Sequence, residues 1–235
     1  EVYFTELRYG GASFAILEDR KFKSGPRSIF SDAERAAARQ DPALYDAPEA
    51  EMLGARQEEF LRHWVAASGD ADFRIVCSQT LFCKATTHAG LDVDSGGWPP
   101  AARNRALRIL RGAPGVVMLH GDQHLGILAR QGVDDWDDGP IGFMVPGVSN
   151  GFPRAWRPAR PGENRAPGDP PWTGRFRDGF GNRMTILGAA NPEPGSNTPE
   201  GQRGLDPAQI AHLKGSGHGV VVFDRERRAA TFEIW

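Results

Sequence analysis

The chain has little cysteine and no excess of either charge. Cys77 and Cys83 are its two cysteines in 235 residues. That is too few for a disulfide scaffold, and their spacing fits no zinc-binding pattern, so both read as buried free thiols. The formal net charge of −2 gives no electrostatic footprint for nucleic acid. No run of 18 apolar residues occurs, which excludes a transmembrane helix. The Gly-x-Ser-x-Gly, Walker and Gly-x-Gly-x-x-Gly motifs are missing, so serine-hydrolase, nucleotide-kinase and dinucleotide-enzyme readings lack their signatures. There is no Asn-x-Ser/Thr acceptor and no signal peptide, and the first residue is Glu, so the sequence reads as an excised or processed piece. What is present is ordinary globular composition, 40% hydrophobic and 25% charged, enough for one sizeable core.

Strand and helix signals alternate, which is the α/β pattern. Residues 2–8 and 13–18 predict two strands around Gly10-Gly11, the second ending in the charge run Glu18–Lys23, which reads as a solvated face. Residues 31–50 read as a loosely packed insertion with a short helix. Met52, Leu53, Gln57, Phe60, Leu61, Trp64 and Val65 follow helical spacing and predict an amphipathic helix over 52–67. Strands are predicted at 73–77, 116–120, 141–145 and 183–190, a helix at 100–111 and a hairpin at 219–235. Asp134, Asp135, Asp137 and Asp138 around Trp136 read as a solvated acidic turn rather than a metal cluster. Residues 151–182 are rich in Pro, Gly and Arg and read as a long surface excursion, its arginines mostly solvated.

The stretch with most chemical content is Val116–Gly126. An apolar strand ends at Gly121, and Asp122 and His124 follow two positions apart. Strand alternation puts residues i and i+2 on one side, and α/β sheets bind ligands at the carboxyl ends of strands. A carboxylate and an imidazole there suit a divalent metal or acid/base work. The same tetrapeptide also reads as a turn in which Asp122 caps a loop and His124 is a satisfied polar residue. Both readings stand on the residues alone.

Several segments together resemble a known family. Phe14–Lys23 resembles the strand and charged end, Leu-Asp-Thr-Arg followed by a basic residue, of PhoD-like alkaline phosphatases. Met52–Leu61 is similar to that family's Met-Leu-Gly-x-x-Gln-x-x-aromatic-Leu helix. Phe73–Gln79 is similar to its next strand, and Val117–His124 to its Gly-Asp-x-His strand end. The resemblance implies a calcineurin-like metallophosphatase. That means an α/β fold forming part of a four-layer α/β/β/α sandwich, with a mixed sheet and a C-terminal β-hairpin. It implies hydrolysis of phosphodiesters or phosphomonoesters by a hydroxide activated between two or more metal ions (iron with calcium, or zinc and manganese), and export to the periplasm or beyond. Asp122 and His124 then correspond to metal ligands, His88 to a catalytic acid or substrate contact, and Gln79, Asn104, Arg105 and Arg20 to substrate or outer-sphere positions.

The chain departs from that family in one respect. The earlier ligand motifs are missing, and Gly69-Asp70-Ala71-Asp72 follows a helix in the wrong order. Residues 1–235 therefore read as a single domain, the C-terminal portion of the catalytic domain without its N-terminal metal-binding half. The missing half is then the chain's own partner, alongside a small phosphate ester, and the fragment alone is inactive. The alternatives are a non-catalytic α/β binding module and a metal-dependent hydrolase of non-phosphate substrates.

Overall fold

The computed structural model describes residues 3–38, 41–87, 92–149 and 151–235. Strands β1 (Thr5–Tyr9) and β2 (Ala12–Ile16) form an antiparallel hairpin. Gly10 and Gly11 make its two-residue turn with φ of +58° and +83°, which L side chains resist and glycine accepts. From β2 the chain runs through the short α1 (Pro26–Ile29), α2 (Asp32–Ala38) and α3 (Ala55–Ala67) to β3 (Phe73–Cys77), and through α4 (Pro100–Leu110) to β4 (Val116–His120). Strands β2, β3, β4 and β6 (Ile141–Met144) are parallel neighbours. Antiparallel β5 (Gly126–Gln131), β8 (Arg183–Ala190) and β7 (Gly174–Arg177) complete an eight-stranded mixed sheet in the order β1-β2-β3-β4-β6-β5-β8-β7. The final strands β9 (Gly219–Asp224) and β10 (Ala229–Ile234) form a separate hairpin.

Side-chain alternation assigns the layers. Ala15, Val76, Met118 and Val116 face Leu61, Trp64, Ala106 and Leu107 of α3 and α4 in the main core. The Trp64 indole donates to Ser13 Oγ at 2.9 Å, so its polar edge is satisfied inside that core. The opposite face receives the hairpin: Phe223 packs on Phe73 with ring centroids 4.9 Å apart, and Phe232 on Phe143 at 5.3 Å. The mixed sheet and the C-terminal hairpin are as expected from the sequence. A second core surrounds β5, β6 and β8, with Leu81, Ile127, Met144, Met184, Ile186 and Trp156.

Several expectations change. The helix over 52–67 starts at Ala55, because Gly54 breaks it with φ +77°; Met52 and Leu53 are buried core residues ahead of it. The 31–50 insertion, with helix α2 (Asp32–Ala38), is not loose: Tyr45 is buried, stacks edgewise on Phe30 and Trp98, and accepts from the Trp98 indole through its carbonyl. The 151–182 excursion contains β7, and most of its arginines bind protein groups, among them Arg154 to Asp92 and Arg175 to Asp137. In the acidic turn, Asp138 accepts from the N–H groups of Val133, Asp134 and Asp135, and Asp134 pairs with Arg108 and Arg111. Cys77 and Cys83 are free thiols, as expected, but only Cys83 is buried; Cys77 is half-buried. Among the described residues no helix is long and apolar enough to cross a membrane.

His120 ends β4. It is buried, with Nδ1 3.3 Å from the Ser78 carbonyl, and burial pushes its pKa down to about 3. The unfolded chain takes up the proton near pH 6.5 and the folded chain resists it. Stability is therefore full above about pH 6.5 and falls as pH drops from there toward 3, by up to about 1.4 kcal/mol per pH unit. Urea unfolding at pH 7 and 5 checks this: the stability difference is expected to shrink by about 2 kcal/mol in His120→Leu. Trp64→Ala is expected to cost about 3–5 kcal/mol in the same assay at pH 7, and Val222→Ala on the exposed hairpin within about 0.5 kcal/mol.

Candidate functional site

The parallel strands β2, β3 and β4 deliver three exits to one end of the sheet: Leu17–Arg20, Ser78–Thr80 and Gly121–His124. Asp19 is buried at the first. Its Oδ2 accepts from Ser78 Oγ at 2.9 Å, Thr80 N at 2.9 Å and Thr80 Oγ1 at 2.8 Å. Burial pushes its carboxyl pKa up, and these donors oppose the shift. Gln79 connects all three exits. Its Oε1 accepts from Asp19 N at 2.9 Å, its Nε2 donates to Glu18 Oε2 at 2.8 Å, and its carbonyl accepts from Gly121 N at 3.1 Å.

The charge run after β2 is solvated only in part: Arg20 and Lys21 are exposed, Glu18 and Lys23 are half-buried and Asp19 is buried. Glu18 Oε1 accepts from the backbone N–H groups of Arg20 and Lys21. Lys23 donates to the Ser95 carbonyl, and burial pulls its pKa down to about 8. Above this base the Arg20 guanidinium donates to Asp122 Oδ2 at 2.5 Å and lies 3.7 Å from Asp94 Oδ2. Arg154 pairs with Asp92 at 2.7 Å, and its N–H donates to the His124 carbonyl.

The Gly121–His124 segment is a turn and not an extended tip. Asp122 has φ +64° and His124 φ +55°, left-handed values uncommon outside glycine that recur where local structure is fixed for function. Strand alternation therefore does not set their directions. The Asp122 carboxylate meets Arg20, and the His124 ring is fixed by Nδ1 at 2.7 Å from the Phe152 carbonyl. Between them Gln123 is buried, with both amide atoms lacking a hydrogen-bond partner in the structure.

Of the residues singled out from the sequence, Arg20, Gln79 and Asp122 are linked at the strand exits, while the His124 ring, two residues beyond Asp122, lies against the Phe152 carbonyl. Asn104 and Arg105 engage the helix layer instead: Asn104 accepts from Arg103, and Arg105 bonds Glu58 at 3.1 Å and Glu51 at 3.4 Å, stitching α4 to α3 and the segment before it. His88 falls outside the described residues. Sequence reading passed over Asp94 and Glu18. The density of charge immediately after a strand was the available signal for Glu18, while Asp94 sits in a loop with no period to mark it.

No curated protein sequence matches the chain. A solved structure of PhoD is similar over 60% of this chain and 28% of its own, at 23% identity and a TM-score of 0.45. One of GAP50, the anchor in the inner membrane complex of Plasmodium, is similar over 60% and 35%, at 14% identity and a TM-score of 0.30. The chain thus aligns with only about a third of either. The profile of the PhoD-like phosphatase family matches residues 1–152, a span holding every strand exit described above, and the chain belongs to the PhoD-like phosphatase family.

Proposed function

We propose that the chain is the C-terminal portion of a catalytic domain that hydrolyses phosphate esters, monoesters or diesters, with two or more cations, and that Asp122 and His124 are the ligands it supplies. The observation that carries this reading is the anchored turn at the end of β4. A ligating histidine characteristically gives its second ring nitrogen to a carbonyl or carboxylate, and His124 Nδ1 lies against the Phe152 carbonyl. That contact sets the tautomer in which Nε2 is the coordinating atom. Asp122 adds a carboxylate oxygen, so the donor set fits a hard or borderline cation, iron with calcium or else zinc or manganese.

Two donors are too few for a tight site. Among the described residues no group of three or more acidic, His or Cys side chains is placed to hold a metal ion. The remaining ligands come, in this reading, from an upstream half that also completes a four-layer sandwich, and the protein is exported, as the family resemblance implies. The cations, when bound, lower the pKa of water and neutralise charge on phosphoryl oxygens. The chain's own residues do the rest. Gln79 holds the three exits in register. His124 is held by the Phe152 carbonyl, and Asp122 presents a carboxylate oxygen two positions before it in sequence. Arg20 presents a planar guanidinium suited to phosphoryl oxygens. No side chain is required as a covalent nucleophile.

The test is hydrolysis of a chromogenic phosphodiester and monoester, with added calcium, iron, zinc or manganese, by this chain alone and by the chain preceded by its upstream half. The longer protein is expected to be active and this chain inactive. In the longer protein Asp122→Ala and His124→Ala are each expected to lose at least about a hundredfold in rate while the melting temperature stays unchanged. Full activity in both variants removes them as ligands.

A further inference from the structure

We propose that β1 is the contact through which two copies of the chain join, antiparallel and two-fold about Leu7, so that the mixed sheet runs on from one copy into the other. The strand lies at the sheet edge, and its pairing needs neither cation nor substrate.

β1 ends the eight-stranded sheet, and among the described residues its one strand neighbour is β2. All five of its residues are exposed, Leu7 at 51% and Tyr9 at 78%. A free edge is a template for another strand, and proteins commonly blunt it with proline or a bulge. β1 has neither. Its turn fixes which backbone groups are on offer. A two-residue turn closes on a hydrogen-bonded pair, here Tyr9 with Ala12 around Gly10-Gly11. Alternation then directs the N–H and C=O groups of Thr5, Leu7 and Tyr9 toward β2, and those of Glu6 and Arg8 outward. Matching outward groups leaves antiparallel registers centred on Glu6, Leu7 or Arg8 for an overlap of three residues or more. Centring on Glu6 sets carboxylate on carboxylate, and centring on Arg8 sets guanidinium on guanidinium; like charges directly opposite are unfavourable. Centring on Leu7 sets Glu6 against Arg8 of the other copy twice over. It also sets Leu7 against Leu7 at the closer, non-hydrogen-bonded spacing, where side chains pack best. Backbone, charge and apolar pattern thus agree on one register. That register is isologous and closes after two copies. Arg8 is also held ready for it: its terminal nitrogens lie 2.9 Å from Asp70 and 2.6 Å from the Ala67 carbonyl. A contact this small makes a weak, reversible dimer, and its exposed charges select the register more than they add affinity.

The experiment is sedimentation velocity on the whole gene product, so that any segment ahead of Tyr3 is present, at low ionic strength and over about a hundredfold range of concentration. A monomer–dimer equilibrium is expected. Glu6→Arg and Arg8→Glu each turn both attractive pairs into repulsive ones, and each variant alone is expected to dimerise about ten- to thirtyfold more weakly. An equimolar mixture of the two sets opposite charges together again at both positions and is expected to recover the dimer. Arg8 also holds Asp70, so thermal melting checks that Arg8→Glu is folded. If it is not, Glu6→Arg and Leu7→Lys decide. Leu7→Lys opposes two ammonium groups on the axis, leaves the Asp70 contact in place and is expected to weaken the dimer to a similar degree. A monomer at every concentration overturns the proposal. So does a dimer that Glu6→Arg and Leu7→Lys leave unchanged, which places the contact elsewhere, and so does a mixture of folded variants that stays as weak as either one alone.

Discussion

The buried carboxylate of Asp19 is the constraint on which the site depends. One of its oxygens takes three hydrogen bonds from the exit of β3, and its own N–H is held by Gln79. In a low-dielectric interior each of these bonds is strong, and losing one leaves a charged group unsatisfied. The β2 and β3 exits are thereby locked together, and the Gln79 carbonyl extends the lock to β4 through Gly121. The groups above, Arg20, Asp94 and Asp122, are exposed and paired loosely. A rigid, hydrogen-bonded floor thus lies under the exposed charges of Arg20, Asp94 and Asp122.

Most of the other arginines do a different job. Arg103 is fully buried and donates to the carbonyls of Phe82 and Gly132, joining the segment after β3 to the end of β5. Arg105, Arg108 and Arg111 bind acidic groups around α3, α4 and the 134–138 turn. Guanidinium supplies several donors in fixed directions, so it closes carbonyl ends and acidic turns that an apolar residue cannot. The same residue type thus ties the helix layer to its loops and, at Arg20, faces the carboxylates of Asp122 and Asp94 at the strand exits.

The parallel strands and the two crossover helices were legible in the sequence because apolar runs and helical spacing report burial directly. Strands β5 and β7 were not. Gly126–Gln131 follows the turn at once and ends in Arg and Gln, and Gly174–Arg177 is a four-residue, arginine-rich edge inside a Pro/Gly segment. The Gly-Asp-x-His segment is a turn in which alternation does not set the directions of Asp122 and His124: both are left-handed, and that conformation leaves no periodic trace. The partnership of Arg20 with Asp122 crosses 102 positions, and Asp94 joins it from a loop. Long-range pairing of this kind is fixed by the register of parallel strands, which a local pattern does not encode.

That separation also governs when the site comes into being. During synthesis at about 5–20 residues per second, roughly 5–20 seconds pass between the making of Arg20 and the making of Asp122. Over that interval the β2 and β3 exits can close around Asp19 while Arg20 still lacks its near carboxylate. A nascent chain therefore carries an exposed positive head until the delivery of β4 and the turn after it supplies the carboxylate of Asp122.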